Sequence, residues 1–418
     1  MNDCESEILN KFSQELEKEL TSGILAYWVN NTVDYEKGGF FGRITFNNIP
    51  IKDAEKGSVL TARILWAFSA SYKMFENTEY EKVAKHAYQY LAEILWDPTY
   101  DGVYWMVDAD GNPTEDRKHV YAEAFTIYAL TEYYSAFKES EALELAKKLY
   151  HKIENNCTDA ENGGYFEAYS REWELLDDVR LSEKDRNEPK SMNTHLHLLE
   201  AYTNLYRHWK SPELKEKLSD LLNIFTRHIM KKDHTSLITF LGKDWTPKSD
   251  EISIGHDIET SWLLLEAADV LGDYPDYDEL VNSCLKLADQ VKNQGIDAEY
   301  GGIYNEAGPK GIIDDDKDWW PQAEGIVGFM NAYEHTGNTK YLDTALEIWQ
   351  FIKDYMIDQK YGEWHEKVSR SGTPYQLDKV RSWKCPYHNG RLVLEMLSRI
   401  NKIQKKAGFK PKSTTVEN

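Results

Sequence analysis

Histidine is the side chain best suited to moving protons near neutral pH, and two of the twelve histidines in this chain occupy positions that favour that work. His256, in Ile254-Gly255-His256-Asp257-Ile258-Glu259, and His388, in Lys384-Cys385-Pro386-Tyr387-His388-Asn389-Gly390-Arg391, each open a helical segment. An imidazole in the first turn of a helix feels the positive end of the macrodipole, which favours the neutral form that acts as a base. Pro386 fits the preference of proline for a place just inside a helix start. Spacing alone leaves open the blander reading, a histidine that only caps or packs.

Met192-Asn193-Thr194-His195-Leu196-His197 adds a geometric test. Residues two apart on a helix point about 200° apart, so His195 and His197 cannot share a ligand or face one cavity. Asn193 and His197 do share a face, and Glu200 continues the stripe, which fits a wet cavity or a solvent-facing helix. His256 with Glu259, and Trp320 with Glu324, are likewise neighbours on one face. Arg63 interrupts the apolar run Val59-Leu60-Thr61-Ala62-Arg63-Ile64-Leu65-Trp66. A guanidinium buried there is costly unless it meets a carboxylate or faces a cavity. Tryptophans beside carboxylates and amides are a sugar-binding chemistry, with flat rings over C–H faces and polar groups on hydroxyls.

The elements that must position these residues repeat. Glycine-centred, aromatic-rich turns recur as Gly38-Gly39-Phe40-Phe41-Gly42, Asp101-Gly102-Val103-Tyr104-Trp105, Gly163-Gly164-Tyr165-Phe166, a degenerate Ser236-Leu237-Ile238-Thr239-Phe240, Gly301-Gly302-Ile303-Tyr304 and Tyr361-Gly362-Glu363-Trp364. Between them the apolar pattern has a helical period. Helices are expected over 5–29, 57–75, 78–96, 119–137, 140–155, 190–209, 212–230, 256–272, 277–293, 319–336, 339–357 and 386–404. Two helices per turn, six times over, predict a closed ring of helical hairpins around one cavity, with small hairpins such as that of residues 40–46 walling one end.

Composition sets outer limits. A chain of 418 residues with 41% hydrophobic and 13% aromatic residues can bury a large core. The even repeat predicts one domain over 1–404, followed by a Lys-rich, frayed tail over 405–418. A net charge of −22 argues against nucleic acid and anionic membranes, since both are gripped by clustered Lys and Arg. The expected partner is a small neutral or cationic molecule. Residues 1–20 have neither a basic nor an apolar leader region, and no stretch reaches eighteen uninterrupted apolar residues, so a cytoplasmic protein is expected. Cys4, Cys157, Cys284 and Cys385 form no C-x-x-C pair and read as reduced thiols. No metal-ligand spacing is visible either. Asp314-Asp315-Asp316 reads as a solvated loop, and Asp108-Ala109-Asp110-Gly111-Asn112 as a turn, because it lacks the closing Glu of a calcium loop.

Several strings together carry a resemblance: Leu60-Thr61-Ala62-Arg63-Ile64-Leu65-Trp66, Lys118-His119-Val120-Tyr121, Met192 to His197, Gly255-His256-Asp257-Ile258-Glu259, Trp319-Trp320 with Glu324, and Trp383 to Arg391. In this order, over about residues 25–400, the chain resembles the cellobiose 2-epimerases of the N-acylglucosamine 2-epimerase superfamily. The resemblance implies an all-α (α/α)6 barrel, no cofactor, and inversion at C2 of the reducing-end sugar of a β-1,4-linked disaccharide. It implies His256 and His388 as paired acid/base residues and His197 as an aid to ring opening. Arg63, Tyr121 and Asn193 would hold the open-chain aldehyde and enediolate oxygens. Glu259 and Glu324 would orient histidines or sugar hydroxyls, and Trp320 and Trp383 would be sugar platforms. A monomer is the expected working form. Mannose 2-epimerases and aldose–ketose isomerases of the same superfamily share much of this constellation. A glycoside hydrolase of the same fold would instead use two carboxyl groups, for which Asp257, Glu259 and Glu324 are candidates.

Overall fold

A computed structural model describes residues 3–408. Its helices form twelve rods: α1 (3–31), α2 (Ser58–Phe75), α3 (78–95), α4 (Val120–Phe137), α5 (Ser140–Asn156), α6 (Met192–His208), α7 (212–229), α8 (Ile254–Leu271), α9 (277–295), α10 (Trp319–Thr336), α11 (339–356) and α12 (Tyr387–Lys406). The even-numbered rods pack in sequence around an axis, and α12 closes on α2. The odd-numbered rods lie outside them. Five hairpins are consecutive in the chain, whereas the sixth joins α12 to α1, so the ring is closed by its first and last helices. This is the expected (α/α)6 barrel.

Burial explains which helices went inside. In α2, α4, α8 and α10 nearly every residue before the last turn is buried, as befits helices that are apolar on all sides. The outer rods bury one stripe, such as Leu214, Leu218, Leu221 and Leu222 of α7. Five outer rods also carry a π-helical turn, at Glu19–Leu25, Leu91–Leu95, Phe225–Ile229, Val291–Gly295 and Ile352–Met356. Apolar periodicity does not announce those.

The rim at the N-terminal ends of the inner helices is a belt of two-residue antiparallel pairings. Each joins the segment before one inner helix to the loop of the next repeat, as in Lys118–His119 with Ala168–Tyr169 and Lys190–Ser191 with Phe240–Leu241. The bridge Ile44–Val380 closes the circle. Hairpins form at Met106–Val107 with Pro113–Glu115 and at Glu306–Gly308 with Gly311–Asp314. Residues 43–51 form a shorter hairpin, in which Ile44 bridges Pro50 across a turn and Ile51 N–H reaches Arg43 O; Pro50 has no N–H with which to extend the ladder.

Beneath the belt lies a device that the sequence reading did not find. In five repeats a buried lysine reaches a buried aspartate: Lys56–Asp34 at 2.8 Å, Lys118–Asp97 at 3.1 Å, Lys190–Asp159 at 2.8 Å, Lys317–Asp297 at 2.9 Å and Lys379–Asp358 at 2.7 Å. Each aspartate also accepts two backbone N–H groups of the glycine turn, as Asp159 does from Glu161 and Asn162. Glycine is needed where the turn meets an inner helix. Gly164 has φ +76°, and a Cβ there would lie 2.6 Å from Trp245 and 2.8 Å from Nε2 of His195. The fourth turn, with Ser236 in place of that glycine, has no such lysine, and its Asp233 is exposed and holds only Thr235.

The remaining expectations fall out simply. Asp108 accepts from Asp110 and Asn112 within a turn. The acidic run is more structured than a solvated loop: Asp314 ends a strand, and Lys367 gathers Asp314, Asp316 and Asp318. All four cysteines are free, and all but Cys4 are buried. Among the described residues no helix is long and apolar enough to cross a membrane. Of the expected tail, Lys405 and Lys406 lie in α12, and residues 409–418 lie outside the described residues.

Removing one member of a buried ion pair leaves its partner charged and unpaired. Asp159→Ala is therefore expected to cost about 3–5 kcal/mol of stability, and Asp233→Ala only about 1 kcal/mol. Guanidinium unfolding followed by tryptophan fluorescence checks this; equal losses would show that the lysine staple is not what holds the turns.

Candidate active site

The first turns of the inner helices converge under the belt, and a cavity of about 190 Å³ opens there. Arg63, Tyr121, Asn193, His197, His256, Glu259, Trp320, Trp383 and His388 line it, together with Leu181, Ser182, Asp185 and Trp319. A second lobe of about 150 Å³ shares Leu181, Asp185, Asn193 and His256 with the first. All the residues singled out for a role in the sequence therefore meet here except Glu324 and Asp257. Glu324 lies just beneath, against His388. Asp257 points outward, where its Oδ1 accepts Leu237 N–H at 2.9 Å. It is a turn-holding residue and not a carboxylate for catalysis. His195 does the same for Tyr165, accepting its N–H on Nε2 at 3.1 Å, as the 200° argument required.

Local structure sets each side chain. His119 caps α4 by accepting Tyr121 N–H on Nδ1 at 3.2 Å, and Tyr121 Oη then takes a bond from Arg63 Nη2 at 2.6 Å. Arg63 thus faces the cavity, its guanidinium stacked 4.1 Å from the centre of the Phe125 ring. His256 is the third residue of α8 and His388 the second of α12. Pro386 stands at the N-cap of α12 instead of inside it, since the helical hydrogen bonding begins only at Tyr387. Both histidine rings contact Trp320, at 4.7 and 5.6 Å between centroids. Trp383 packs against Tyr121 and Trp105.

Each of the three histidines has Nδ1 engaged. His197 meets Glu200 Oε2 at 2.9 Å, His256 meets Ser253 Oγ at 2.6 Å and His388 meets Glu324 Oε1 at 2.7 Å. Ionised Glu200 and Glu324 accept from Nδ1–H, which leaves the lone pair of His197 and His388 on Nε2, whereas Ser253 Oγ can accept from or donate to Nδ1 of His256. Burial, then His197 and Arg63, pushes His256 down to about 3. Burial, then Arg63 and Arg391, holds His388 well below the ordinary imidazole range. The neutral form inferred from the helix dipole is thus enforced mainly by desolvation and cations.

The floor of the site was not assigned from sequence. Arg391, buried on α12, donates to Glu200, Glu259 and Tyr387, and to Glu324 Oε1 at 2.7 Å. Tyr387 Oη donates to Glu200. Burial would raise Glu200, but Arg391 and His197 outweigh it and hold that carboxyl below its usual range. Glu259 is pushed up to about 7 by burial and by Glu324. Arg391 was within a quoted motif, and the reasoning applied to Arg63, that a guanidinium on an inner helix must meet carboxylates or a cavity, would have found it. Ser182 and Asp185 come from an irregular loop with no local signal. Arg63 Nε, Asn193 Oδ1 and Glu259 Oε2 are buried without a protein partner, so three polar atoms stand ready for a ligand.

Residues 39–390 match the family model described as N-acylglucosamine 2-epimerase (GlcNAc 2-epimerase). The cellobiose 2-epimerase of Bacteroides fragilis is 44% identical over 385 residues, spanning 92% of this chain and 98% of that protein. The solved structure of cellobiose 2-epimerase from Bacillus thermoamylovorans B4167 superimposes with a TM-score of 0.90 at 41% identity, over 93% of this chain and 100% of that one. A D-mannose isomerase structure shares the fold, with a TM-score of 0.81 at 21% identity over 92% of this chain and 97% of that one.

Without Arg391, ionised Glu200 and Glu324 lose their counter-charge, and the histidines they touch hold protons more tightly. Neutral imidazole is then reached only at higher pH. Arg391→Met is expected to move the acid limb of kcat/KM upward by about 1–3 units, with Arg391→Lys restoring part of the shift. A lower rate with an unmoved limb would reduce Arg391 to scaffolding.

Proposed function

The chain belongs to the N-acylglucosamine 2-epimerase family, and from that premise we propose that it inverts C2 of the reducing-end aldose of β-1,4-linked disaccharides, turning cellobiose into glucosyl-mannose and lactose into epilactose. The observation that carries the reading is the pair of neutral imidazoles, His256 and His388, set against one indole and facing the Arg63–Tyr121 couple. The two adjoining lobes suit two sugar rings.

The chemistry follows from acidity. A C2 proton is acidic only beside a carbonyl, so the ring must open first. His197, held by Glu200, is placed to shuttle the proton between O5 and O1. One of His256 and His388 then takes the C2 proton through Nε2, and the electron pair moves into an enediolate whose oxygens meet Arg63, Tyr121 and Asn193. These donors act where charge develops. The other histidine enters this step protonated on Nε2, gives that proton to the opposite face of C2 and is left neutral, while the first keeps the proton it took. The pair thus exchanges charge states in each turnover, and ring closure completes the inversion. No electrons are gained or lost, and no step draws on a cofactor. Glu324 stabilises the imidazolium of His388 when it carries a proton, as Ser253 orients His256. The ring enclosing the site closes within one chain, which supports a monomer as the working unit.

Trp320, on α10, and Trp383, in the loop before α12, flank the cavity. Trp383→Ala and Trp320→Ala are expected to raise KM more for a disaccharide than for mannose where the indole covers the non-reducing ring, at roughly 1–3 kcal/mol for a lost platform. Equal losses on both substrates assign that indole to the reducing-end ring.

The two-base scheme is tested by deuterium uptake at C2 in D₂O. His256→Asn and His388→Asn, each started from the gluco and the manno epimer, are expected to lose inversion by on the order of 10²–10⁴. Each should still exchange C2 hydrogen from one epimer only, and the epimer should differ between the variants. Inversion near the wild-type rate in either variant removes the scheme. Product identification by NMR separates epimer, ketose and hydrolysis.

A further inference from the structure

The sequence shows no three-ligand spacing because His256 and Glu259 share one helix while the residue that joins them in space comes from another. His197 on α6, with His256 and Glu259 on α8, offer one ligand atom each within 4.8 Å of one another. We infer that these three side chains form a binding site for a divalent transition metal of the zinc class, occupied in competition with the sugar. Competition rests on the proposed placement of the sugar; metal binding does not.

Four observations support it. The histidines present Nε2 because Nδ1 of His197 is held by Glu200 Oε2 and Nδ1 of His256 by Ser253 Oγ. Outer partners of this kind fix the tautomer of metal-ligating histidines and raise their basicity. Glu259 gives one oxygen to Arg391, while its buried Oε2 has no partner, and an unpartnered carboxylate oxygen beside two imidazoles is an incomplete coordination shell. Two imidazoles and one carboxylate with an open fourth side match the ligand set of zinc sites that keep an exchangeable position. Such donors select Zn²⁺, Co²⁺ or Ni²⁺ over Mg²⁺ and Ca²⁺, which prefer all-oxygen shells. Finally, three carboxylates, Glu200, Glu259 and Glu324, gather on the guanidinium of Arg391, and Arg63, bonded to Tyr121, is the second cation of the site, so a dication meets no surplus of positive charge when the carboxylates are ionised. Tetrahedral zinc with bonds of about 2.1 Å holds its ligands roughly 3.4 Å apart, a gap that side-chain rotation closes from 4.8 Å. Glu259, Glu324 and His388 also lie within that distance, but Glu324 is already spent on Arg391, His388 and Trp262.

The test is titration of the full chain, stripped with a chelator, with Co²⁺ as a spectroscopic probe and Zn²⁺ as competitor. One Co²⁺ per chain is expected, with visible d–d bands that Zn²⁺ abolishes. Glu259→Gln and His197→Asn, checked as folded by circular dichroism, should each weaken Co²⁺ at least tenfold, and Ser253→Ala by about 10–100-fold. Saturating cellobiose should displace the metal, and chelated enzyme should keep full turnover while Zn²⁺ suppresses it. Absence of d–d bands, or binding unchanged in both Glu259→Gln and His197→Asn, overturns the site. Binding that needs those residues yet ignores cellobiose upholds the metal site and overturns the placement of the sugar.

Discussion

Arg391 stands where the inner helices converge, and its guanidinium draws Glu200 from α6, Glu259 from α8 and Glu324 from α10 onto one point of α12. Three buried carboxylates without it would repel one another and lack water, a cost no packing around them offsets. With it they become fixed acceptors, and two of them hold the Nδ1 atoms of His197 and His388. The orientation and charge state of the catalytic face therefore depend on a group that does not line the cavity. Trp262 covers the guanidinium at 4.9 Å and shields the cluster from the far end of the barrel.

The rim solves a separate problem. Most cavity-lining residues sit in the first two turns of inner helices, close to where loops enter, so loop freedom would loosen the site. The strand pairings limit that freedom around the rim, and Lys–Asp staples add to them at five of six junctions. The exception is the fourth turn, beside α8, which carries His256 and Glu259. There the anchor that remains is the one from the inner helix, Asp257 to Leu237 N–H, which α4, α6 and α10 give their turns in addition to a staple.

How much of this was legible follows from which signals are local. Twelve rods, their faces and the closed ring followed from periodicity, because each helix declares its own burial. His256, His388, His197 and Arg63 stood out because each conflicts with its surroundings on a short segment. The resemblance added the roles. What stayed hidden depends on pairing across the barrel: the Lys–Asp staples join residues about twenty to thirty apart in the chain, and Arg391 meets partners from three other helices. The π-helical turns stayed hidden too, since an extra residue in one turn barely disturbs an apolar stripe.

One register unites the structural and the functional residues, and it bears on the choice between a hydrolase and an epimerase. Counting from the first residue of α2, α4, α6, α8 and α10, the fourth is Thr61, Glu123, His195, Asp257 and Gln322, and the sixth is Arg63, Phe125, His197, Glu259 and Glu324. Residues two apart diverge by about 200°, so the fourth faces outward and the sixth inward. Glu123, His195, Asp257 and Gln322 all accept the N–H of a turn residue, at Val103, Tyr165, Leu237 and Ile303. A hydrolase needs two carboxyl groups free to act on the bond between two sugars. The register takes Asp257 out of the cavity, Glu324 has both oxygens engaged, and only Glu259 keeps a free one. On the inner helices that leaves one available carboxyl, Glu259, between two neutral imidazoles, and the other carboxyl of the lining, Asp185, is held on its loop by Ser182 N–H. Such a setting suits moving a carbon-bound proton from one face to the other better than glycoside cleavage.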